Sequence, residues 1–382
     1  MAKTVDGMKR VDPGSLVEHF SLLSDPRMEG KRRHKLEDIV TIAVTAMLCG
    51  ADEWTAMEEF GRAKEVWLRQ FLELPNGIPS HDTFGRVFAL LDTEAFQSCF
   101  VAWTRSLVGD IEGVIALDGK TLRRSHECGA GRGAIHMVSA FARENGMVLG
   151  QVKTEEKSNE ITAIPQLLSA LNVKGCTVTI DAMGCQKAIA KQIVQQGGDY
   201  LLAVKGNQEK LYDGVLRLFE EAEAVDFKGY EADVYETTEK GHGREETRRY
   251  MVLPTADRLP EGKKWAELKT VGVVEAQRTL KGKTTSEMRY YIGSFESDAK
   301  VFANAVRGHW SVENNLHWVL DIAFREDESR VRIGNAAANL AILRHIALNA
   351  LKKEQTLKRG IKGKRLKAGW DEQYLAKVLL GL

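Results

Sequence analysis

The chain has 382 residues, 43% of them hydrophobic and 28% charged, with a formal net charge of +1. That length supports two or three domains with an ample core, and the composition excludes a disordered or fibrous chain. The near-neutral total neither requires nor excludes a polyanionic partner, since local asymmetry is hidden within it. Cys49, Cys99, Cys128, Cys176 and Cys185 are scattered without Cys-x-x-Cys spacing. They read as free thiols in a reducing compartment, not as a structural zinc site. The N-terminus has no apolar signal core, and the longest apolar run, Ile39 to Ala51, is too short to span a bilayer. A cytoplasmic protein without a membrane partner is expected.

The first 110 residues read as helical. Ser15 to Leu23, Leu36 to Cys49 and Glu53 to Phe71 have helical apolar spacing, with Gly50 as a stop. The loop Pro75 to Ser80 precedes a helix through Phe84, Val87, Phe88 and Leu91, capped by Ser80 or Asp82. The basic run Lys31 to Lys35 is either a solvated loop or a phosphate-contacting edge. Ser80-His81-Asp82 is not a hydrolase triad, because chain neighbours cannot hydrogen-bond in relay order.

From Gly113 strands and helices alternate. Strands are predicted at Val114 to Leu117, Ile135 to Phe141, Met147 to Val152, Thr177 to Ile180 and Tyr200 to Val204, with helices over Ile161 to Leu171 and Lys187 to Gln196. That order gives a mixed sheet with helices on its faces. After a helix through Leu211 to Ala224, period-two segments mark a β-rich insertion. In it Glu245 to Leu253 and Val271 to Gln277 pair with Asp233 to Thr238 and Glu287 to Ile292. Helix returns at Ala299, with Asp298 as its cap, and is expected to continue past Glu328. A last helix, Ala336 to Leu351, leads into a basic tail.

Two of the strands end alike. Val114-Ile115-Ala116-Leu117 runs into Asp118, and Thr177-Val178-Thr179-Ile180 runs into Asp181. Short, continuously apolar runs are strands buried on both faces. An aspartate at the C-terminal end of each faces the crevice where open α/β sheets place ligands. An isolated Asp-Gly can simply cap a turn; two such ends in one sheet bring like charges together, and a divalent cation relieves their repulsion. Gly119-Lys120-Thr121 is not the end of a phosphate-binding P-loop, because the required glycine five positions earlier is Val114.

Such a site needs a third carboxylate. In His309 to Asp321, Val312, Leu316, Val319 and Ala323 form one apolar helical stripe. Glu313, His317 and Asp321 share the neighbouring face beside Asn314, with Trp310 and Trp318 flanking it. Glu313 is the expected third ligand and Asp321 the alternative. His317 is read as an outer or packing residue.

These residues carry a resemblance. Leu117-Asp118-Gly119-Lys120, Ile180-Asp181-Ala182, Tyr200 through Lys205-Gly206-Asn207-Gln208, and His309-Trp310-Ser311-Val312-Glu313-Asn314 resemble the DDE transposases of bacterial insertion sequences, most nearly the H-repeat-associated group. Gly77 to Phe84 and Gly241-His242-Gly243-Arg244 extend the likeness over most of the chain. The resemblance implies an α/β fold: an RNase H-like mixed-sheet core with a β-rich insertion, preceded by an α-helical N-terminal domain. The divisions are 1–110, helical and DNA-binding or associated; 111–209, the first part of the core; 210–295, the insertion; 296–351, the helical part with the catalytic glutamate; and 352–382, the basic tail. The Tyr-x2-Arg-x3-Glu-x6-Lys signature of the wider superfamily falls on Val306, His309, Glu313 and Leu320, so only its glutamate is present. Arg307, His309 and His317 are the candidates to replace the missing groups.

By this resemblance Asp118, Asp181 and Glu313 form the catalytic and metal-binding triad, holding two Mg²⁺ ions for which Mn²⁺ can substitute. Two such ions, about 3.5–4 Å apart, activate water and stabilise the leaving 3′ oxygen. The freed 3′-OH then attacks target DNA in strand transfer. Expected DNA contacts are Lys120, Arg123, Arg124, Lys205, Asn207, Gln208, His242, Arg244, His309, Trp310 and Asn314. The partner is double-stranded DNA, as terminal inverted repeats and as target, bound by a homodimer at paired ends, which places the protein at the nucleoid. The competing expectations are an RNase H-like nuclease without strand transfer and a catalytically silent DNA-binding relative.

Overall fold

Val114 to Leu117 is buried to within 2% of full exclusion from solvent, and it opens β1 (Val114–Thr121), the strand around which the sheet is assembled. β2 (His136–Ala142) pairs with it antiparallel, and β3 (Met147–Thr154) follows on β2. On the other side β4 (Thr177–Ile180) and β5 (Asp199–Val204) run parallel to β1. The spatial order β3-β2-β1-β4-β5 is the RNase H-like core that the resemblance implies. The computed structural model describes residues 14–126, 133–154, 160–241, 243–255 and 258–380.

The β-rich insertion is present as β6 (Asp233–Gly241), β7 (Arg244–Pro254), β8 (Thr270–Leu280) and β9 (Lys283–Gly293), paired antiparallel in that order. It does not stand apart from the core. Leu201 to Val204 of β5 pair with Gly293 to Tyr290 of β9, making one sheet of nine strands. An exposed β5 edge would invite pairing with another chain, and β9 covers it.

The N-terminal region is helical: α1 (Gly14–Phe20), α2 (Leu36–Leu48), α3 (Trp54–Ala63), α4 (Glu65–Leu68), α5 (His81–Leu90) and α6 (Thr93–Val108). Gly50, at φ +97°, lies just beyond α2 as expected of a stop. The run 53–71 is interrupted at Lys64, whose φ of −110° separates α3 from α4. Ser80 holds the cap position of α5 without bonding its backbone N–H groups; its hydroxyl lies 3.2 Å from that of Thr83. α7 (Glu160–Ala170), α8 (Lys187–Gln195) and α9 (Glu209–Ala224) bury their apolar stripes with Ile115, Leu117 and Val178 on one face of the sheet.

The opposite face meets α10 (Ala299–Val312), α11 (Trp318–Phe324) and α12 (Ala336–Lys353). Asp298 caps α10, accepting from the N–H groups of Lys300 and Val301 at 2.8 and 2.9 Å. The helix expected to pass Glu328 ends at Phe324 because Arg325 takes φ +52°. Residues after 352, read as a basic tail, form α13 (Ile361–Trp370) and α14 (Glu372–Leu380). Leu375, Val378 and Leu379 join the N-terminal helices in one apolar cluster. Arg365 is buried there, donating to the Met47 carbonyl at 2.7 Å and pairing with Asp52 at 2.5 Å. Four cysteines are free thiols, and Cys128 lies outside the described residues. Among the described residues no helix is long and apolar enough to cross a membrane.

Candidate active site

Leu117 and Ile180 are register partners on the parallel strands β1 and β4. Asp118 and Asp181 therefore lie side by side on neighbouring strands about 4.8 Å apart. β1 does not end at Leu117 as expected: Asp118 stays in the sheet, opposite Ser139 of β2, and the strand runs on to Thr121. Gly119 faces the other way, where any Cβ would run into His136 Nε2 and Glu160 Oε1. Any larger residue there would have to displace that buried pair, 2.5 Å apart. Asp181 accepts from the N–H groups of Met183 and Gly184 at 3.0 and 3.3 Å, a local turn that fixes its carboxylate. The same turn is held from β5's end. Asn207 Nδ2 donates to the Ala182 carbonyl at 2.6 Å, and Gln208 Nε2 to that of Cys185 at 2.9 Å.

The third carboxylate comes from the helical layer. Gly308 lets α10 lie against Val114, whose side chain would collide with any Cβ there. After Val312 the helix widens into a single π turn, Glu313–His317, closed by the Trp318 N–H donating to the Glu313 carbonyl. Such turns are rare and recur at functional sites. His317 Nδ1 lies 3.2 Å from Glu313 and 3.5 Å from Asp118. Ligand atoms of Asp118, Glu313 and His317 all fall within 4.8 Å of one another. Asp321, the alternative third ligand, turns away and binds Lys120 Nζ at 2.5 Å. His317, read as an outer or packing residue, stands in the cluster itself; its i,i+4 spacing to Glu313 was the available signal.

Burial pushes the Asp118 carboxyl up, against the opposing pull of His317 and His309, and the charge of Asp181 pushes it further. Burial pushes His309 down despite both aspartates, with its Nδ1 3.2 Å from the Thr179 hydroxyl. His317 Nε2 is buried without a partner. The Asp118 carboxyl, disfavoured in its charged form, together with Glu313 and an unsatisfied imidazole, fits a divalent cation. Oxygen ligands suit Mg²⁺ and Mn²⁺, and the imidazole widens the choice toward transition metals.

The remaining expected DNA contacts divide. Lys120 shares the face of Asp118, but its ammonium is held by Asp321, by Glu326 at 3.0 Å and by the His317 carbonyl at 3.4 Å. Arg123 reaches Asp327 at 3.2 Å with its side chain mostly exposed, and Arg124 and Lys205 are exposed. Asn207, itself exposed, and Gln208, half-buried, bond the Asp181 turn. Arg244, Trp310 and Asn314 line a cavity of about 930 Å³ between α10 and the inserted strands. There the Arg289 guanidinium lies 4.2 Å from the half-exposed Trp310 ring. His242 lies outside the described residues.

An RNase H-like sheet that presents aspartates on adjoining strands to a helical glutamate is the arrangement of DDE recombination proteins. The "Transposase DDE domain" family matches residues 110–350, and a "DDE_Tnp_1-associated" family matches 17–104. The chain belongs to the DDE transposase family, of the insertion-sequence type. It is 46% identical over 371 residues to "Putative transposase YncI" of Escherichia coli O157:H7, covering 96% of this chain and 94% of that one. It is 44% identical over 373 residues to "H repeat-associated putative transposase YhhI" of Escherichia coli K12, covering 96% and 98%. A cryo-EM structure of the piggyBac transposase synaptic complex with hairpin DNA aligns with 95% of this chain and 77% of that one. Its TM-score of 0.40 and 11% identity carry no weight beside the strand order itself.

Proposed function

We propose that the protein cuts phosphodiester bonds at the ends of its insertion sequence and joins the freed 3′-OH to target DNA, using Asp118, Asp181 and Glu313 with divalent metal. The observation that carries this reading is the convergence of Asp118, Glu313 and His317 within 4.8 Å, with Asp181 on the adjoining strand. Divalent ions bound there supply an activated water and charge stabilisation at the leaving oxygen. Asp118, on the central strand between Asp181 and the π turn, would hold metal together with its neighbours on either side. His317 would orient the Glu313 carboxylate and could add a nitrogen ligand. Asn207 and Gln208 position Asp181 by bracing its turn.

Double-stranded DNA would lie along the cavity beside Glu313. Arg244 and Asn314 offer donors to phosphates, and the Trp310 face, backed by Arg289, offers a platform for an unpaired base. Two ends cut together favour a homodimer on DNA. The deciding experiment incubates the protein with duplexes carrying the element's own ends, with Mg²⁺ or Mn²⁺ and with chelator. Metal-dependent nicking followed by strand joining, both abolished in Asp118→Ala, is the expected result. Nicking without joining identifies a nuclease. Binding without any metal-dependent cleavage identifies a silent relative.

A further inference from the structure

A second groove, of about 1120 Å³, lies between the N-terminal helices and the segment linking α11 to α12. One wall is α3 and α5, with Trp54 and Arg86; the other is formed by residues 328–333; Arg124 enters where the chain leaves β1. The walls are fastened together. The Asn335 N–H donates to the Ala89 carbonyl at 3.0 Å, and Asn339 Nδ2 to that of Phe88 at 2.8 Å. Arg332 Nε donates to the Arg124 carbonyl at 2.9 Å. Gly334, at φ +54°, lets the segment press on Ala89, whose carbonyl any Cβ would meet. The groove is thus a preformed feature.

Its charge is unusual within this molecule. Beside α10 the cations are largely answered: Arg307 pairs with Glu239 at 2.7 Å and Arg248 with Glu246 at 2.5 Å. In the second groove Asp52 is held by Arg365 and Glu328 by Arg325, Asp82 lies 3.6 Å from His81 Nε2, and Glu53 forms no ion pair among the described residues. Arg86, Arg124, Arg330 and Arg332 form no ion pair among the described residues. Unpaired guanidinium groups gathered along a rigid groove match a polyanion, and their planar forks match phosphate oxygens.

We propose that this groove seats the DNA duplex flanking the cut, as a phosphate-tracking path that begins at the end of β1. Arg124 is six residues beyond Asp118, so at about 3.3 Å per residue it lies within roughly 20 Å. A duplex advances about 3.4 Å per base pair along each strand, so the groove meets phosphates within about six base pairs of the scissile bond. These contacts read no sequence; they hold the duplex in register for the carboxylates. The occupant rests on the proposed function, and the geometry of the groove does not.

The test is the salt dependence of binding to a duplex of about 30 base pairs, three helical turns, with Ca²⁺ to prevent cleavage, using the full chain. Each phosphate contact adds about 0.9 to the slope of log affinity against log salt. Arg86→Gln/Arg330→Gln is expected to bind more weakly, with a slope shallower by about 1.8, and Arg86→Lys/Arg330→Lys to recover it. Arg124→Gln, at an exposed position, gives the same test at half the amplitude. An unchanged slope in variants that melt like the wild type overturns the proposal, as does a lysine pair that stays at the glutamine slope. Asp118→Ala is expected to keep the wild-type slope. Loss of the groove's effect with intact metal-dependent cleavage sinks this inference alone; the reverse sinks only the catalytic reading.

Discussion

Lys120 Nζ and Glu326 Oε2 lie 3.0 Å apart on the Asp118 side of the sheet, with the glutamate side chain 2% exposed. Glu326 also meets Arg344 Nη1 at 3.5 Å. Burial works to raise the Glu326 carboxyl, but Arg344 and then Lys120 outweigh it and hold it low. One carboxylate thus bridges two cations, tying β1 to α12 beneath the π turn. Glu326→Gln keeps the volume, removes the carboxylate paired with buried Arg344 and leaves Lys120 with Asp321 alone. Breaking a buried pair from one side costs about 3–5 kcal/mol, and a loss of that order is expected in denaturant unfolding. A change below about 1 kcal/mol would show the network to be solvated.

The imidazole of His317 faces Asp118 and Glu313 at once. His317→Ala should weaken divalent-metal binding by about 10- to 100-fold, as loss of a ligand or of its immediate support does. Calorimetric titration with Mn²⁺ reads this directly, and DNA affinity in Ca²⁺ should hold steady. Equal Mn²⁺ affinity in variant and wild type would make His317 a packing residue after all.

The strands of the site were legible because Val114 to Leu117 is an unbroken apolar run and Thr177 to Ile180 an unbroken β-branched one, as strands buried on both faces require. His317 was obscured by the regular helix. A period of 3.6 puts Glu313, His317 and Asp321 on one face, and no residue type announces the π turn that sends Asp321 to Lys120. Lys120 itself was misleading in type but not in position, since it shares Asp118's face two residues on. The β5–β9 pairing is long-range, and periodicity within a strand says nothing of its partner. In the last segment the lysines drew attention from Leu375, Val378 and Leu379, an apolar stripe at helical spacing.

Asn207 reads in sequence as a DNA contact, and in the fold its amide holds the Ala182 carbonyl at 2.6 Å. The two roles separate kinetically. Asn207→Ala loosens the turn that carries Asp181, so cleavage at saturating DNA should slow roughly 2- to 10-fold, the worth of one hydrogen bond. The DNA dissociation constant should stay at its wild-type value. A weaker complex with an unchanged single-turnover rate would return Asn207 to the DNA.

His345 is buried on α12 with Nδ1 unpartnered, and burial pushes it down to about 4. Its folded value lies below the unfolded value near 6.5, so folding favours the neutral ring. The contribution is complete above pH 6.5 and fades as pH falls toward 4, by up to about 3 kcal/mol. His345→Gln should flatten the acid limb of the melting-temperature profile across that window. An identical acid limb in the variant would place the titration elsewhere.

The burial that readies Asp118 for metal should also make it a burden on the metal-free fold. Its carboxyl is pushed up by desolvation first, with Asp181 adding to the push. A folded value above the unfolded one, near 3.9, means the native state holds its proton more tightly. Stability is therefore lost as pH rises through that interval, and the full penalty is present at neutral pH. Asp118→Asn removes the charge at nearly constant volume. The variant should melt higher than the wild type at pH 7, and the difference should vanish below the unfolded value, where both side chains are neutral. Divalent metal binds only the native wild-type cluster tightly, so adding Mn²⁺ should raise the wild-type melting temperature toward or past that of the variant. Melting curves of both proteins at pH 7 with Mn²⁺ and with chelator test this trade directly; a variant less stable than the chelated wild type would mean that Asp118 is satisfied by the fold alone.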